Sequence, residues 1–255
     1  MLHRAPRLYG WPRSRWWLAG LRQTVAWLQP LSLVGVHRLL HRLRIRYKRG
    51  RHYVHSPDPD YDAKLANVQH VHDLVAQEPQ RFVAVYQDEF TYYRRASVGY
   101  SYARSGSDEP YARQGLRSNT YRRVAGSLNT RTGLFFSWQR TRFDRWTLLR
   151  YFQALAVQYP EAEMIFVLLD NWPVHFHPDV LAGLVGSRIL LVPLPTYAPW
   201  TNPAEKVWRK LNQEVLHLHE FTDQWATLQE TVGAWLDGLA TPSQELLRYV
   251  GLYPS

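Results

Sequence analysis

The sequence contains no cysteine among its 255 residues, which excludes a disulfide framework and any Cys-ligated zinc or iron–sulfur site. It has no apolar run near the roughly 20 residues a membrane-spanning helix needs, so no membrane partner is expected. The N-terminal stretch carries arginines but no continuous apolar segment, which argues against a secretory signal. No GxSxG elbow, Walker loop or GxGxxG fingerprint occurs, which leaves those serine-hydrolase and nucleotide-binding chemistries without sequence support. The absence of cysteine fits a reducing interior, and with no membrane segment or secretory signal a cytoplasmic location is expected. A hydrophobic content of 45%, with 11 Trp and 16 Tyr, belongs to a globular chain. Its length accommodates one sizeable core and a small accessory domain.

Negative charge is missing from the first 55 residues, which hold 12 Arg or Lys and no Asp or Glu. The remaining 200 residues have 19 basic and 21 acidic side chains, so the net charge of +10 comes from the N-terminal arm. A second basic block, residues 94–150, sets 12 Arg or Lys against three acids. Clustering of this kind is the footprint of a polyanion binder, because each neutralised phosphate releases condensed counterions. Arginines interleaved with Trp and Tyr, and no lipid-facing helix, favour nucleic acid over an acidic membrane surface.

Within that arm, apolar residues at 17, 18, 21, 25 and 28 predict a helix over 15–28 that Pro30 ends. Ser32 can cap a second helix, with Val36, Leu39, Leu40 and Leu43 as its buried stripe. The pair reads as a helix-turn-helix segment or as an ordinary helical pair with a charged face. In the first reading Arg38, Arg42, Arg44, Arg46, Lys48, Arg49 and Arg51 are the candidate DNA contacts. The expected organisation is a basic segment over 1–55, a linker and connecting helix over 56–80, an α/β domain over 81–240, and a C-terminal tail over 241–255.

From Arg81 the texture changes to strands. RFVAVYQDE places Phe82, Ala84, Tyr86 and Asp88 on one face. SVGYSYAR and YRRVAGSLN are β-rich, and NTRTG is a hairpin turn into LFFSWQR. A helix capped by Asp144 follows, and EMIFVLLD is apolar on both faces, as a central buried strand would be. RILLVPL gives a further strand, and the last 55 residues are mostly helical. The order predicts a mixed α/β sheet with flanking helices.

Three carboxylates stand at the ends of these runs. Asp88 closes RFVAVYQDE, and Asp170 follows the apolar residues Ile165 to Leu169. Glu205 opens the helix after a Pro-rich loop, with 34 residues between it and Asp170. In open α/β sheets, sites gather beyond the carboxyl ends of strands. Acids there can hold divalent metal against a phosphodiester. Each acid also has a plainer reading. Asp170 can start a turn with Asn171, and Glu205 fits a capping box with Asn202 at the N-cap and Pro203 at N1.

LLDNWPVH followed by LPTYAPWTNPAEKVWRKL resembles the signature of DDE transposases of the insertion-sequence-630 family, relatives of the mariner elements. The matching positions are Asp170, Asn171, His175, Leu194, Pro195, Tyr197, Pro199, Asn202, Pro203, Glu205 and Trp208, with the family's 34-residue spacing and an Asp-Glu pair at Asp88 and Glu89. The resemblance implies a ribonuclease-H-like domain with two Mg²⁺ or Mn²⁺ ions held by Asp88, Asp170 and Glu205. It assigns Glu89, Asn171, His175 and Asn202 to supporting or strand-positioning roles. The implied reaction is cleavage at element ends, then joining of the freed 3′-hydroxyl to target DNA, commonly at TA. Partners would be duplex DNA carrying terminal inverted repeats and further copies of the chain in a synaptic complex at the nucleoid.

Ala198, Thr201 and Ala204 depart from the family's usual Ser, Leu and Ile. Only one helix-turn-helix unit fits before residue 50 where members carry two, as in a truncated product or one frame of a split gene. A relative that only binds DNA and a hydrolytic nuclease acting on RNA–DNA hybrids are the competing readings. His37 and His41, four apart on a helix, form a weaker metal candidate, and His217 and His219 cannot share one helix face. Tyr92, Tyr93, Trp138 and Trp200 could stack on bases or fill the core.

Overall fold

The computed structural model of the protein describes residues 2, 4–48, 56–106 and 108–253. Arg49 and Arg51 lie outside the described residues. The chain forms two compact units, Met1–Tyr53 and Val54–Ser255.

The first unit holds α1 (Leu18–Thr24) and α2 (Leu33–Arg42) around a small core of Leu21, Leu28 and Val36. The helix expected over 15–28 is shorter. Thr24 turns its hydroxyl back to the Gly20 carbonyl at 2.7 Å, and Val25 is extended. Two consecutive β-branched residues weaken helix continuation, and a 3-10 turn, Ala26–Leu28, completes the segment. Ser32 caps α2, its Oγ accepting from the Gly35 N–H at 3.0 Å. Leu43 does not extend the buried stripe: it is 57% exposed, because α2 stops at Arg42 and Arg44 reverses the chain at φ 58°.

The second unit opens with α3 (Tyr61–Gln77), which stops two residues before Pro79. Then come β1 (Phe82–Tyr93), β2 (Tyr121–Asn129), β3 (Phe135–Arg140), α4 (Arg145–Gln158), β4 (Met164–Leu169), α5 (Pro178–Leu184) and β5 (Ile189–Pro193). Helices α6 (Ala204–Leu211), α7 (Trp225–Asp237) and α8 (Gln244–Val250) close the chain. The sheet order is β3-β2-β1-β4-β5. The β1–β2 and β2–β3 pairs are antiparallel, and β1–β4 and β4–β5 are parallel. This is the expected ribonuclease-H-like mixed sheet.

Helices cover both faces. On one, Leu148, Tyr151, Phe152 and Leu155 of α4 pack against Val85, Ile165, Val167 and Leu169. On the other, α3 covers Ala84, Tyr86, Phe166 and Leu168, while α6, α7 and α8 cover Val124, Leu128 and Phe135. β4 is therefore buried on both sides, as its unbroken apolar run requires. Each fully buried Leu or Phe contributes roughly 1.5–3 kcal/mol.

Two expectations need correction. SVGYSYAR is not a strand. Its alternating Val98, Tyr100 and Tyr102 are exposed, and no named strand lies between Tyr93 and Tyr121 among the described residues. Alternation without a layer to bury it cannot hold a strand in register. The segment 241–255 is not a tail either, since α8 buries Leu246, Leu247 and Val250, capped by Ser243 Oγ at 3.1 Å.

Gly126 of β2 pairs with Asp88 of β1. A Cβ there would lie 2.1 Å from Phe135 Cζ and 2.8 Å from Trp208 Cη2. Gly126→Ala is expected to destabilise the unit by about 1–3 kcal/mol through overpacking. Its thermal midpoint should fall by roughly 2–12 °C in a calorimetric melt. An unchanged midpoint would mean that the ring cluster yields without cost.

Candidate active site

β1 and β4 run parallel, with Tyr86 opposite Leu168. Continuing that register by two residues brings Asp88 level with Asp170. Asp88 is not at the end of its strand, because β1 runs on to Tyr93. It does lie beyond the last residue paired with β4, where Asp170 leaves the sheet. The side chain of Asp88 falls on the face that α6 covers, and Trp208 Nε1–H donates to its Oδ2 at 2.9 Å.

Glu205 enters from α6. The expected capping box does not form: Pro203 is the N-cap, with no side-chain cap bond. Asn202 instead accepts from the Ala204 N–H at 3.1 Å and donates Nδ2–H to the Gln87 carbonyl at 3.1 Å, tying the helix start to β1. Glu205 is exposed, one turn before the buried Trp208.

Asp88, Asp170 and Glu205 line one cavity of about 420 Å³, walled by Asn171, Trp172 and the loop from Leu194 to Pro199. Burial, then the charges of Glu205 and Glu89, push the Asp88 carboxyl well above the usual carboxylate range. Although Glu205 is exposed as a residue, partial desolvation of its carboxyl at the cavity, then the charge of Asp170, push it up as well, against the pull of Arg209. Like charges facing one another disfavour ionisation, and a divalent cation would relieve them. An all-oxygen donor set suits hard cations such as Mg²⁺.

The acids are not drawn into one tight shell. Among the described residues, no three His, Cys, Asp or Glu side chains converge closely enough to hold an ion. Each is engaged by a different partner, Asp88 by Trp208 and Asp170 by His175 and the Trp172 N–H.

Behind Asp170 lies a charged chain through His175, whose side chain is 1% exposed. Its Nδ1 faces Asp170 Oδ1 at 3.2 Å, and its Nε2 faces Glu89 Oε1 at 3.0 Å. Gln87 Nε2–H donates to the same Glu89 oxygen at 2.8 Å. Asp170 also accepts from the Trp172 N–H at 3.0 Å. Burial raises the Asp170 carboxyl, but the hydrogen bonds from His175 and Trp172 outweigh it and hold the group below its ordinary value. Asn171 turns away to donate to the Leu194 carbonyl at 2.6 Å and to Thr196 Oγ1 at 3.2 Å.

A family model described as DDE superfamily endonuclease matches residues 83–228, more than half of the chain. The chain belongs to the DDE endonuclease superfamily. Its likenesses fall in the insertion-sequence-630 and mariner branch. The insertion element IS630 uncharacterized 39 kDa protein of Shigella sonnei is 22% identical over 233 residues, which is 90% of this chain. The chain spans 66% of that relative's length. Among solved structures, the Mos1 transposase paired-end complex with left transposon end superposes with a TM-score of 0.63 at 17% identity, over 95% of this chain and 76% of that one. The Mos1 mariner paired-end complex with Mn gives 0.61 at 16% identity, over 95% and 77%. These structural likenesses show the fold.

Several features of this DDE endonuclease escaped the sequence reading. Trp208 looks like a core residue, yet its indole N–H holds a site carboxylate. Its position three residues after Glu205 is the signal that was there to use. The linker residues Ser56 and Asp58 reach the cavity wall, with no local pattern to announce it. Tyr92 is core rather than a stacking platform, its hydroxyl donating to Gln139 at 2.7 Å, while Tyr93 and Trp200 remain exposed. His217 lies beyond its helix, since α6 ends at Leu211 and a π turn ends at Leu216. Arg38, Arg42, Arg44, Arg46 and Lys48 are all exposed. No helix among the described residues is long and apolar enough to cross a membrane.

Proposed function

We propose that the protein is a DNA transposase that cleaves element ends and joins the freed 3′-hydroxyl to target DNA, with Asp88, Asp170 and Glu205 holding two Mg²⁺ or Mn²⁺ ions. The observation that carries this reading is the single cavity lined by all three acids at the edge where β1 and β4 part. These carboxylates would hold the ions, which when bound would supply Lewis-acid activation of water and charge neutralisation at the phosphodiester. Trp208 holds Asp88, and the Glu89–His175 pair orients Asp170. Asn202 anchors the helix that presents Glu205, and Asn171 anchors the facing loop. Such partners fix ligand orientation before metal arrives.

Duplex DNA bearing terminal inverted repeats is the proposed substrate, with TA target sites and a homo-oligomeric synaptic complex. In this reading Arg38, Arg42, Arg44, Arg46 and Lys48, continued by Arg49 and Arg51, neutralise backbone phosphates. Action at the nucleoid in the cytoplasm follows from that substrate.

The test incubates the full chain with Mg²⁺ or Mn²⁺, a duplex carrying the inverted repeats that flank its gene, and a supercoiled plasmid target. End cleavage with joined product is expected. Binding without cleavage would make the chain an inactive relative. Hydrolysis of an RNA–DNA hybrid without joining would make it a hydrolytic nuclease.

A further inference from the structure

One wall of the cavity is Leu194 to Pro199, part of the loop that runs on through Thr201 from β5 into the helix carrying Glu205. Its hold on the rest of the unit is concentrated at Thr196. The Thr196 N–H donates to Asp58 Oδ2 at 2.7 Å, and its carbonyl accepts from Ser56 Oγ at 2.6 Å. Its hydroxyl accepts from Asn171 Nδ2 at 3.2 Å. Two of these three grips come from a segment 138 and 140 positions earlier in the chain. A third contact from the same segment reaches the far end of the loop, where Trp200 Nε1–H donates to Tyr61 Oη at 3.1 Å.

The segment is built to hold. Asp58 is 3% exposed, and Lys64 Nζ sits 2.7 Å from the oxygen that receives Thr196. Its other oxygen accepts from the Asp60 N–H at 3.0 Å, and Ser56 Oγ accepts from the Asp58 N–H at 3.3 Å. Every polar atom of the Asp58 carboxylate is therefore committed, the arrangement that makes a buried charge rigid rather than costly. What it restrains needs restraint. Tyr197, the next residue, adopts φ 53° with a full side chain, a left-handed conformation that persists only where the surroundings impose it. Tyr197 itself lines the cavity.

We propose that Ser56–Tyr61 is a strap that sets the position of the active-site loop, with Asp58 as its positioning residue. Ser56 follows the end of the basic N-terminal unit by three residues in sequence. The segment that precedes α3 thus bonds to the loop that walls the site. Loosening the strap frees Thr196 and Tyr197, and with them the approach to Asp170 and Glu205.

The experiment compares the full-length wild type with Asp58→Ala, Asp58→Asn and Ser56→Ala. Hydrogen exchange of the metal-free protein is read over peptides spanning 194–201, alongside the turnover and DNA Kd of end cleavage. In Asp58→Ala the loop amides should exchange about 10-fold faster or more, as loss of one charge-assisted hydrogen bond gives. Peptides from α4 and β2 should keep wild-type protection. Turnover should fall roughly 10–100-fold at unchanged DNA Kd, the usual effect of losing an outer partner of a metal site. Asp58→Asn keeps an acceptor for the Thr196 N–H and should recover part of both losses. Wild-type exchange over 194–201 in Asp58→Ala would overturn the proposal, as would faster exchange with full turnover. Should Asp58→Ala fail to fold, Ser56→Ala carries the same two readouts. The turnover arm rests on the transposase reading. A wild type that never cleaves would end that reading, while exchange alone would still decide the strap.

Discussion

Asp170→Asn is expected to lower DNA cleavage by roughly 1,000-fold or more while leaving duplex affinity within about 2-fold of wild type. The two readouts separate because they live on different parts of the chain. In the proposed reading, phosphate neutralisation falls to the arginines of the N-terminal unit, which the substitution does not touch. Asn is nearly isosteric and retains an oxygen to accept from the Trp172 N–H that Asp170 Oδ1 now takes at 3.0 Å. The Asp170 side chain is 60% exposed, which screens its pairing with His175, so its replacement should cost about 1 kcal/mol of stability and leave the fold intact. What disappears is one negative oxygen pair from the cavity that Asp88 and Glu205 share. A second readout follows from charge alone. The charge of Asp170 is among the causes that raise the Glu205 carboxyl. Removing it should let Glu205 titrate closer to its ordinary value, as a carboxyl carbon NMR titration of the metal-free protein would show. Full cleavage by the Asn variant would remove Asp170 from the site, and loss of DNA binding in parallel would mean the fold had been damaged instead.

Much of this site was legible because it is written in local runs. An unbroken apolar stretch ending in Asp170 is the sign of a strand buried on both faces with an acid at its end. A Pro-rich loop turning into a helix places Glu205 one turn before Trp208, so the helix that buries Trp208 against the sheet also brings Glu205 to the cavity. Local runs cannot show which distant groups meet. Glu89 and His175 are 86 positions apart, and their pairing depends on β1 and β4 being neighbours in the parallel half of the sheet. Asp58 reads as one acid in a Pro/Asp linker until α3 and β5 are placed. Where the reading failed, a local pattern lacked its tertiary partner. Val98, Tyr100 and Tyr102 alternate with no layer to cover them, and Leu43 kept its period after the helix beneath it had ended. The capping box at Asn202 failed for a related reason. The Asn202 Oδ1 accepts from the Ala204 N–H, one residue short of Glu205, while its Nδ2–H is held by the distant Gln87 carbonyl.

His175→Ala should be the most destabilising single change near the site, and its effect should depend on pH. Both ring nitrogens of His175 face carboxylate oxygens, at 3.0 and 3.2 Å, and an imidazole can donate from both only when it is protonated. Burial opposes that charge. The charge of Glu89 and the hydrogen bonds to Asp170 and Glu89 overcome it and push the pKa up to about 10. Truncation leaves Glu89, 17% exposed, without its cation, and breaking a buried pair in this way costs about 3–5 kcal/mol. At pH 6 the thermal midpoint should therefore fall by roughly 6–20 °C. The sign with pH follows from linkage. A histidine whose folded pKa lies above its unfolded value of about 6.5 gives its full stabilisation below that value. The contribution then drains away as pH rises through about 10. The gap between wild type and His175→Ala should accordingly be widest at pH 6 and narrow steadily through pH 8 to pH 10 in parallel melts. A gap that stays constant across that range would show that packing against Trp172 and Phe152, not the imidazolium, is what the alanine removes.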